Sequence, residues 1–176
     1  MKALTIVTFG CILIWLLITS SHSSAKGKSI HQQNHAFVKV AQCEHDFEDV
    51  DFCDKVHISQ FKQAIKSKKP DFYSKYIIAV FNLVNGEKRP IEKSLAAIDS
   101  SSGVVYTFPF ETFKGNVDDN GNEVRKPELF YSLIENKICI VGSTYAYRDV
   151  NENSRACYQF VSKKSLNGTN FELITE

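Results

Sequence analysis

The stretch YIIAVFNLVNGEKRPIEKSLAAIDSSSGVVYTFP, residues 76–109, contains three apolar runs separated by turn-forming residues. The runs cover residues 76–84, 94–99 and 104–109, and they are rich in the β-branched, aromatic and aliphatic residues that favour strands. The breaks between them hold Asn, Gly, Pro and Ser, which favour turns. The stretch therefore predicts an antiparallel meander that supplies the core, and it carries no obvious catalytic chemistry.

The chain around this meander divides into a leader and one domain. The 176 residues are 43% hydrophobic and 12% aromatic, which suits a single domain with a buried core. Residues 1–25 combine Lys2, an apolar run and the small residues Ser23 and Ala25, a pattern typical of a cleaved signal peptide. An uncleaved anchor is the alternative. Residues 26–35 predict a flexible leader, and residues 36–176 a single disulfide-stapled, β-rich domain.

The charge balance argues against one class of partner. Cleavage after residue 25 removes Lys2 and no acid, so Lys plus Arg falls from 21 to 20, against 20 Asp plus Glu. A neutral chain lacks the basic surface that nucleic-acid binding requires. We therefore expect no nucleic-acid partner. From the predicted signal peptide we expect a periplasmic or secreted protein with no stable membrane insertion after signal cleavage.

Four of the five cysteines remain after cleavage: Cys43, Cys53, Cys139 and Cys157. An even number in an exported chain predicts two disulfides, for which three pairings exist. We favour Cys43–Cys53, which is local in sequence, and Cys139–Cys157, which joins two strands expected to be neighbours. A zinc site is the alternative, although no close C-x-x-C pair is present.

One helix stands out, over residues 59–68, with Ser59 as N-cap and with Phe61 and Ile65 on one face. Residues 112–126 predict a long exposed loop, and residues 127–135 a short helix or an extended segment. The remaining apolar runs predict strands. The expected fold is α+β and mainly β, an antiparallel meander sheet with one amphipathic helix packed against it.

Chemical motifs are sparse. The sequence has neither the G-x-S-x-G nucleophile elbow nor a glycine-rich phosphate loop. Asn116, Asp118, Asn120 and Gly121 match half of a calcium loop, but Pro127 stands where its final Glu is required. We therefore predict no catalytic residues, no metal ligands and no cofactor, and we do not expect an enzyme.

Two surfaces are candidates for binding a partner. The first is an acidic loop between the first two cysteines, and the second is formed by alternating tyrosines near residue 146. An acidic patch gives specificity and a fast association rate toward a basic partner, and tyrosine is enriched in interfaces. The predicted partner-binding residues are Glu44, Asp46, Glu48, Asp49, Asp51, Tyr145 and Tyr147.

The motifs DFYSKY at 71–76 and DSSSGVVY at 99–106, followed by LIENKICIVGS and an aromatic strand, resemble a group of small exported bacterial proteins. Members of this group, whose function is largely uncharacterised, share the pattern N-F-x-G-K-Y, D-x-x-T-G-x-V-Y, S-x-L-L. The resemblance covers about residues 71–175 and implies a β-rich fold in a bacterial envelope. Residues 81–84, FNLV, depart from the group's W-G-C-G.

Export, small size, disulfides and an acidic patch together favour a periplasmic, non-catalytic binding protein. Its most concrete form is an inhibitor or immunity protein against a secreted toxin or hydrolase. An envelope hydrolase or metal-binding protein is one alternative, and a structural envelope component is another.

Overall fold

In the computed structural model, strands β2 (Tyr76–Asn82), β3 (Lys93–Asp99) and β4 (Val104–Thr107) pair antiparallel in chain order. The breaks between the apolar runs separate the strands, as their composition predicts. The meander and the mainly β, α+β class are confirmed.

The structure describes residues 37–44, 50–82, 93–146, 149–163 and 169–174. The predicted signal peptide and leader lie outside them. No helix in the described ranges is long and apolar enough to cross a membrane.

The other strands extend this meander into a curled sheet. β1 (Lys39–Val40) runs parallel to β4, while β5 (Thr112–Lys114) joins β3 to β9 (Lys137–Tyr145). Beyond β9 follow β10 (Val150–Phe160) and β11 (Phe171–Ile174), and β8 (Glu128–Tyr131) pairs with the other edge of β9. A separate hairpin is formed by β6 (Asn116–Val117) and β7 (Glu123–Arg125).

Strands β2 and β3 are buried on both faces, which explains their nearly continuous apolar sequence. On the inner face, Ile78, Leu95 and Ala97 pack with phenylalanines contributed by the rest of the curled sheet. On the other face, Ile77 and Ile98 belong to a second cluster that includes the helix. The meander is thus the layer shared by two cores.

Helix α1 (Lys55–Ser67) starts four residues earlier than the sequence predicts. Its N-cap is Asp54, whose carboxylate accepts a 2.7 Å hydrogen bond from the His57 N–H, and Ser59 lies inside the helix. Asp caps helices as well as Ser does, and the earlier start adds His57 to the buried stripe of Phe61 and Ile65.

The prediction of an exposed loop over residues 112–126 is wrong. Thr112, Phe113 and Val117 are buried, and the segment contributes β5, β6 and β7. A Cβ on Gly115 would lie 1.6 Å from the Arg125 carbonyl oxygen, so glycine is needed for the close approach of the chain there. The half calcium pattern is a hairpin turn, in which the Asp118 carboxylate accepts the N–H groups of Asn120 and Asn122.

Candidate functional site: an anchored apolar hairpin tip

Strands β8 and β9 form a hairpin whose connection, residues 132–136, we call the tip loop. Two large apolar side chains lie exposed on it: Leu133 is 51% exposed and Ile134 is 85% exposed. The Ser132 hydroxyl accepts a 3.2 Å hydrogen bond from the Glu135 N–H and so closes the turn. Two adjacent exposed apolar side chains on one turn make the tip loop a candidate interaction surface.

One side of the tip loop is held by the turn at residues 72–76. The N–H of Tyr73 donates to the Ser132 carbonyl oxygen at 3.0 Å, and the N–H of Ser74 donates to the Leu133 carbonyl oxygen at 2.7 Å. The Ser74 hydroxyl also donates to the Leu133 carbonyl oxygen, at 3.3 Å. The tip loop therefore has a fixed position relative to the start of β2.

The other side is held by the end of β10. The Phe160 N–H donates to the Asn136 carbonyl oxygen at 2.8 Å, and the Asn136 side-chain amide donates to the Phe160 carbonyl oxygen at 3.2 Å. With supports on both sides, the tip loop loses little conformational entropy when it binds a partner, which favours affinity.

The turn at residues 72–76 stores backbone strain. Tyr73 and Ser74 have φ values of 39° and 65°, in the left-handed region that non-glycine residues rarely adopt. The Tyr73 ring, which is 40% exposed, stacks on Tyr76 at 6.3 Å with an interplanar angle of 4°. This turn adds an aromatic side chain to the apolar surface of the tip loop.

Asp99 fastens this turn to β3. Its carboxylate accepts a 2.7 Å hydrogen bond from the Lys75 ammonium group and further bonds from Ser101 and Ser102. Burial alone would raise the pKa of the Asp99 carboxyl, but these hydrogen bonds lower its pKa well below the ordinary value. The hydrogen bond to Asp99 in turn raises the pKa of Lys75.

The contribution of the Asp99 carboxylate to stability should depend on pH. Because the pKa of Asp99 is lower in the folded than in the unfolded chain, its contribution is complete above the ordinary pKa of aspartate, declines as pH falls below about 4 and is lost only well below about pH 3. We expect Asp99→Asn to lower the unfolding free energy by about 2 kcal/mol at pH 7 and by much less at about pH 1.5. Denaturant titrations at both pH values measure this difference.

The matched control is Asp119→Asn, which changes an exposed aspartate in the β6–β7 turn. It should leave the unfolding free energy within about 0.5 kcal/mol of the native value at both pH values. An equal loss for Asp99→Asn at pH 7 and at about pH 1.5 would contradict a stabilising carboxylate.

The structure describes only part of the predicted acidic loop. Glu44 and Asp51 are exposed, whereas Asp46, Glu48 and Asp49 lie outside the described residues. The loop is closed by a disulfide between Cys43 and Cys53, with Cα atoms 5.0 Å apart. These cysteines and Asp51 are the one potential cluster of metal ligands among the described residues, and the disulfide takes up both sulfurs.

The structure describes only one of the two tyrosines of the predicted tyrosine surface, and that one is partly packed within the protein. Tyr145 is half-buried beneath the Lys114 ammonium group, which lies 4.9 Å from its ring centroid, and Tyr147 lies outside the described residues. The second disulfide joins Cys139 and Cys157, which face each other directly on β9 and β10. Both disulfides thus join the cysteines that the sequence favours.

His57 is the only histidine within the described ranges, and it lies in the second core cluster. Its Nδ1 is 2.8 Å from the Asp51 carbonyl oxygen, and its ring contacts Phe52, Phe61 and Phe81. The residue therefore links the disulfide loop to the helix and to β2, which is a packing role.

The tip loop itself is not among the sites that the sequence predicts. Residues 132–135 of the loop fall in the segment 127–135, for which the sequence predicts a short helix or an extended segment. The signal was the pair Leu133–Ile134 between Ser132 and the polar Glu135–Asn136, an apolar pair inside a turn-forming context. The bonds that anchor it come from residues 73, 74 and 160, so its rigidity depends on tertiary structure.

No protein-family model matches this chain, and no curated protein and no solved structure matches it either. The function must therefore be argued from the fold and the surface. Two disulfides are compatible with an exported protein, because such bonds persist in oxidising compartments.

Proposed function

We propose that this protein is an exported, non-catalytic binding protein that inserts the tip loop into a cleft of a protein partner. The observation that carries the proposal is the exposure of Leu133 and Ile134 on a hairpin tip hydrogen-bonded on both sides. An apolar anchor on a rigid support is the arrangement that dominates the binding energy of many interfaces.

The surface near the tip loop adds aromatic side chains and a positive charge to the apolar pair. Tyr73 is hydrogen-bonded to the tip loop through its main-chain N–H, and the exposed Phe130 of β8 has the guanidinium group of Arg155 5.9 Å from its ring centroid. Apolar and aromatic groups at the centre with charged groups around them are typical of interface cores and rims.

The partner we propose is a secreted toxin or hydrolase, which makes this protein an inhibitor or immunity protein. Such enzymes have a concave site, and a protruding rigid loop is complementary to a concave site in shape. The acidic residues between Cys43 and Cys53 would act at longer range and speed association with a basic partner. The tip loop would then determine the dissociation rate.

Site-specific photocross-linking tests the proposal. A benzophenone amino acid replaces Ile134 in one variant and Val124 in another, because Val124 is 66% exposed but lies on the separate β6–β7 hairpin. Irradiation of host cells should give one discrete protein adduct from position 134 and none from position 124. Excess native protein should prevent this adduct, and the adducted partner should be an exported enzyme that the native protein inhibits.

Two outcomes would count against the proposal. Identical adducts from both positions would show nonspecific contact, and no adduct from position 134 would show that the tip has no partner in the cell. If a captured enzyme stays fully active with a stoichiometric amount of this protein, the inhibitor role is contradicted and only the binding role stands.

A further inference from the structure

Strand β2 forms an edge of the sheet within the described residues, because it pairs along its length with β3 only. In an antiparallel pair, alternate residues direct both main-chain groups away from the partner strand. The groups of Ile78 point outward: its N–H donates to the Asp71 carboxylate at 2.7 Å, and its carbonyl oxygen accepts from the Lys68 ammonium group at 2.9 Å. The outward positions on β2 are therefore 76, 78, 80 and 82.

Within the described residues, the first half of this edge is capped and the second half is open. The Tyr76 N–H and carbonyl oxygen bond to main-chain groups of Asp71 and Phe72, and Ile78 is capped by the two side chains just described. The main-chain groups of Val80 and Asn82 that point outward have no hydrogen-bond partner among the described residues. Unpaired groups on an edge strand are a template for another strand.

A groove of about 310 Å³ lies beside this open half, between β2 and helix α1. Its lining residues are Gln60, Gln63, Ala64, Ser67, Lys68 and 79–82. The Gln60 Oε1 atom is buried there without a hydrogen-bond partner in the described part of the chain. The side-chain amides of Gln60 and Gln63 lie on the helix side of the groove, where they can exchange hydrogen bonds with an occupant.

The charge around the groove indicates the kind of occupant. Lys68 is the one charged residue among those that line the groove, and helix α1 beside it contains no acidic residue. The ammonium group of Lys68 has three donors, of which the Ile78 carbonyl oxygen takes one. Acidic side chains next to an extended backbone would be complementary to this border.

We propose that the groove binds an extended, acidic peptide segment of a partner protein, which adds a strand to β2 at Val80 and Asn82. Main-chain hydrogen bonds supply the affinity in this mode, and side chains beside the strand supply specificity. This second surface is separate from the tip loop, so either proposal can fail while the other stands.

The test uses a short acetylated and amidated peptide in which valine alternates with glutamate, titrated into the full-length protein. Saturable shifts of the backbone amide resonances of Val80 and Asn82 and of the Gln60 side-chain amide are expected. A peptide N-methylated at alternate residues should bind at least about tenfold more weakly, because it lacks the donors that pair with β2. Replacing its glutamates with glutamine should also weaken binding.

Val80→Pro removes one outward N–H, and it breaks no hydrogen bond to β3, so an edge strand can accept the proline. This variant should bind the peptide at least about tenfold more weakly. Val80→Thr keeps the N–H and should bind like the native chain. Equal binding of the N-methylated peptide, or protection of the Val80 and Asn82 amides from hydrogen exchange without peptide, would overturn the proposal. Shifts that depend on protein concentration alone would assign the groove to a second copy, which also overturns it.

Discussion

Phe61→Ala should lower the free energy of unfolding by about 3–5 kcal/mol. The Phe61 side chain is completely buried between the helix and the sheet. Its ring lies edge-on to Phe81, with centroids 5.3 Å apart, and stacks on His57 at 6.5 Å. Truncation therefore leaves a cavity at the centre of the second core cluster and removes the main apolar contact of the helix with β2.

Denaturant unfolding with both disulfides intact measures this loss. Lys62→Ala changes the neighbouring exposed position of the same helix and should stay within about 0.5 kcal/mol of the native value. Phe61→Leu should cost less than Phe61→Ala, since it keeps most of the volume. A loss below about 1 kcal/mol for Phe61→Ala would mean that the helix does not depend on this contact.

The second large effect concerns binding rather than stability. Replacing both Leu133 and Ile134 with Ser should weaken binding to the cross-linked partner at least about 100-fold, since each buried aliphatic side chain contributes about 1.5–3 kcal/mol. Both side chains are exposed in the free protein, so the variant should fold with nearly native stability. The loss should appear mainly as faster dissociation, because the side chains act after contact.

The acidic loop gives a kinetic contrast with the tip. Changing Glu48, Asp49 and Asp51 to Asn or Gln should slow association and reduce its dependence on salt, with little change in dissociation. Faster dissociation in the tip variant together with slower association in the acidic-loop variant would distinguish the contact itself from long-range electrostatic steering. Unchanged association kinetics would remove the acidic loop from the account.

The meander could be read from the sequence because its signal is local. Strands β2 and β3 are apolar on both faces, and turn-forming residues mark where each strand ends. The class of the fold follows from these runs and from a single helix with a buried stripe. The sequence does not predict the helix start correctly because Asp54 and Ser59 are both good caps, and the choice between them depends on the burial of His57.

The segment at residues 112–126 shows where local signals fail. Its strands are short and mostly polar, and only pairing with β3 and β9 makes Phe113 a core residue. Strand preference of this kind comes from neighbours on the sheet rather than from the residues themselves. The same holds for Gly115, whose role depends on the carbonyl oxygen of Arg125, ten positions away.

The sequence signals the candidate site only weakly, for a related reason. Leu133 and Ile134 look like core residues in a linear reading, and only the hairpin geometry places them outside. Their support comes from Tyr73, Ser74 and Phe160, which lie far away along the chain. The acidic loop can be predicted from the sequence because charged residues are identified directly, whereas the exposure of an apolar side chain depends on the fold.

The most direct test of the account is the dissociation constant of the partner cross-linked at position 134, measured for the native protein, for Leu133→Ser/Ile134→Ser and for Val124→Ser. We expect a loss of at least about 100-fold for the tip variant and a change of less than about twofold for the control. Equal affinity of the native protein and the tip variant, with both folded, would contradict the claim that this protein binds through its hairpin tip.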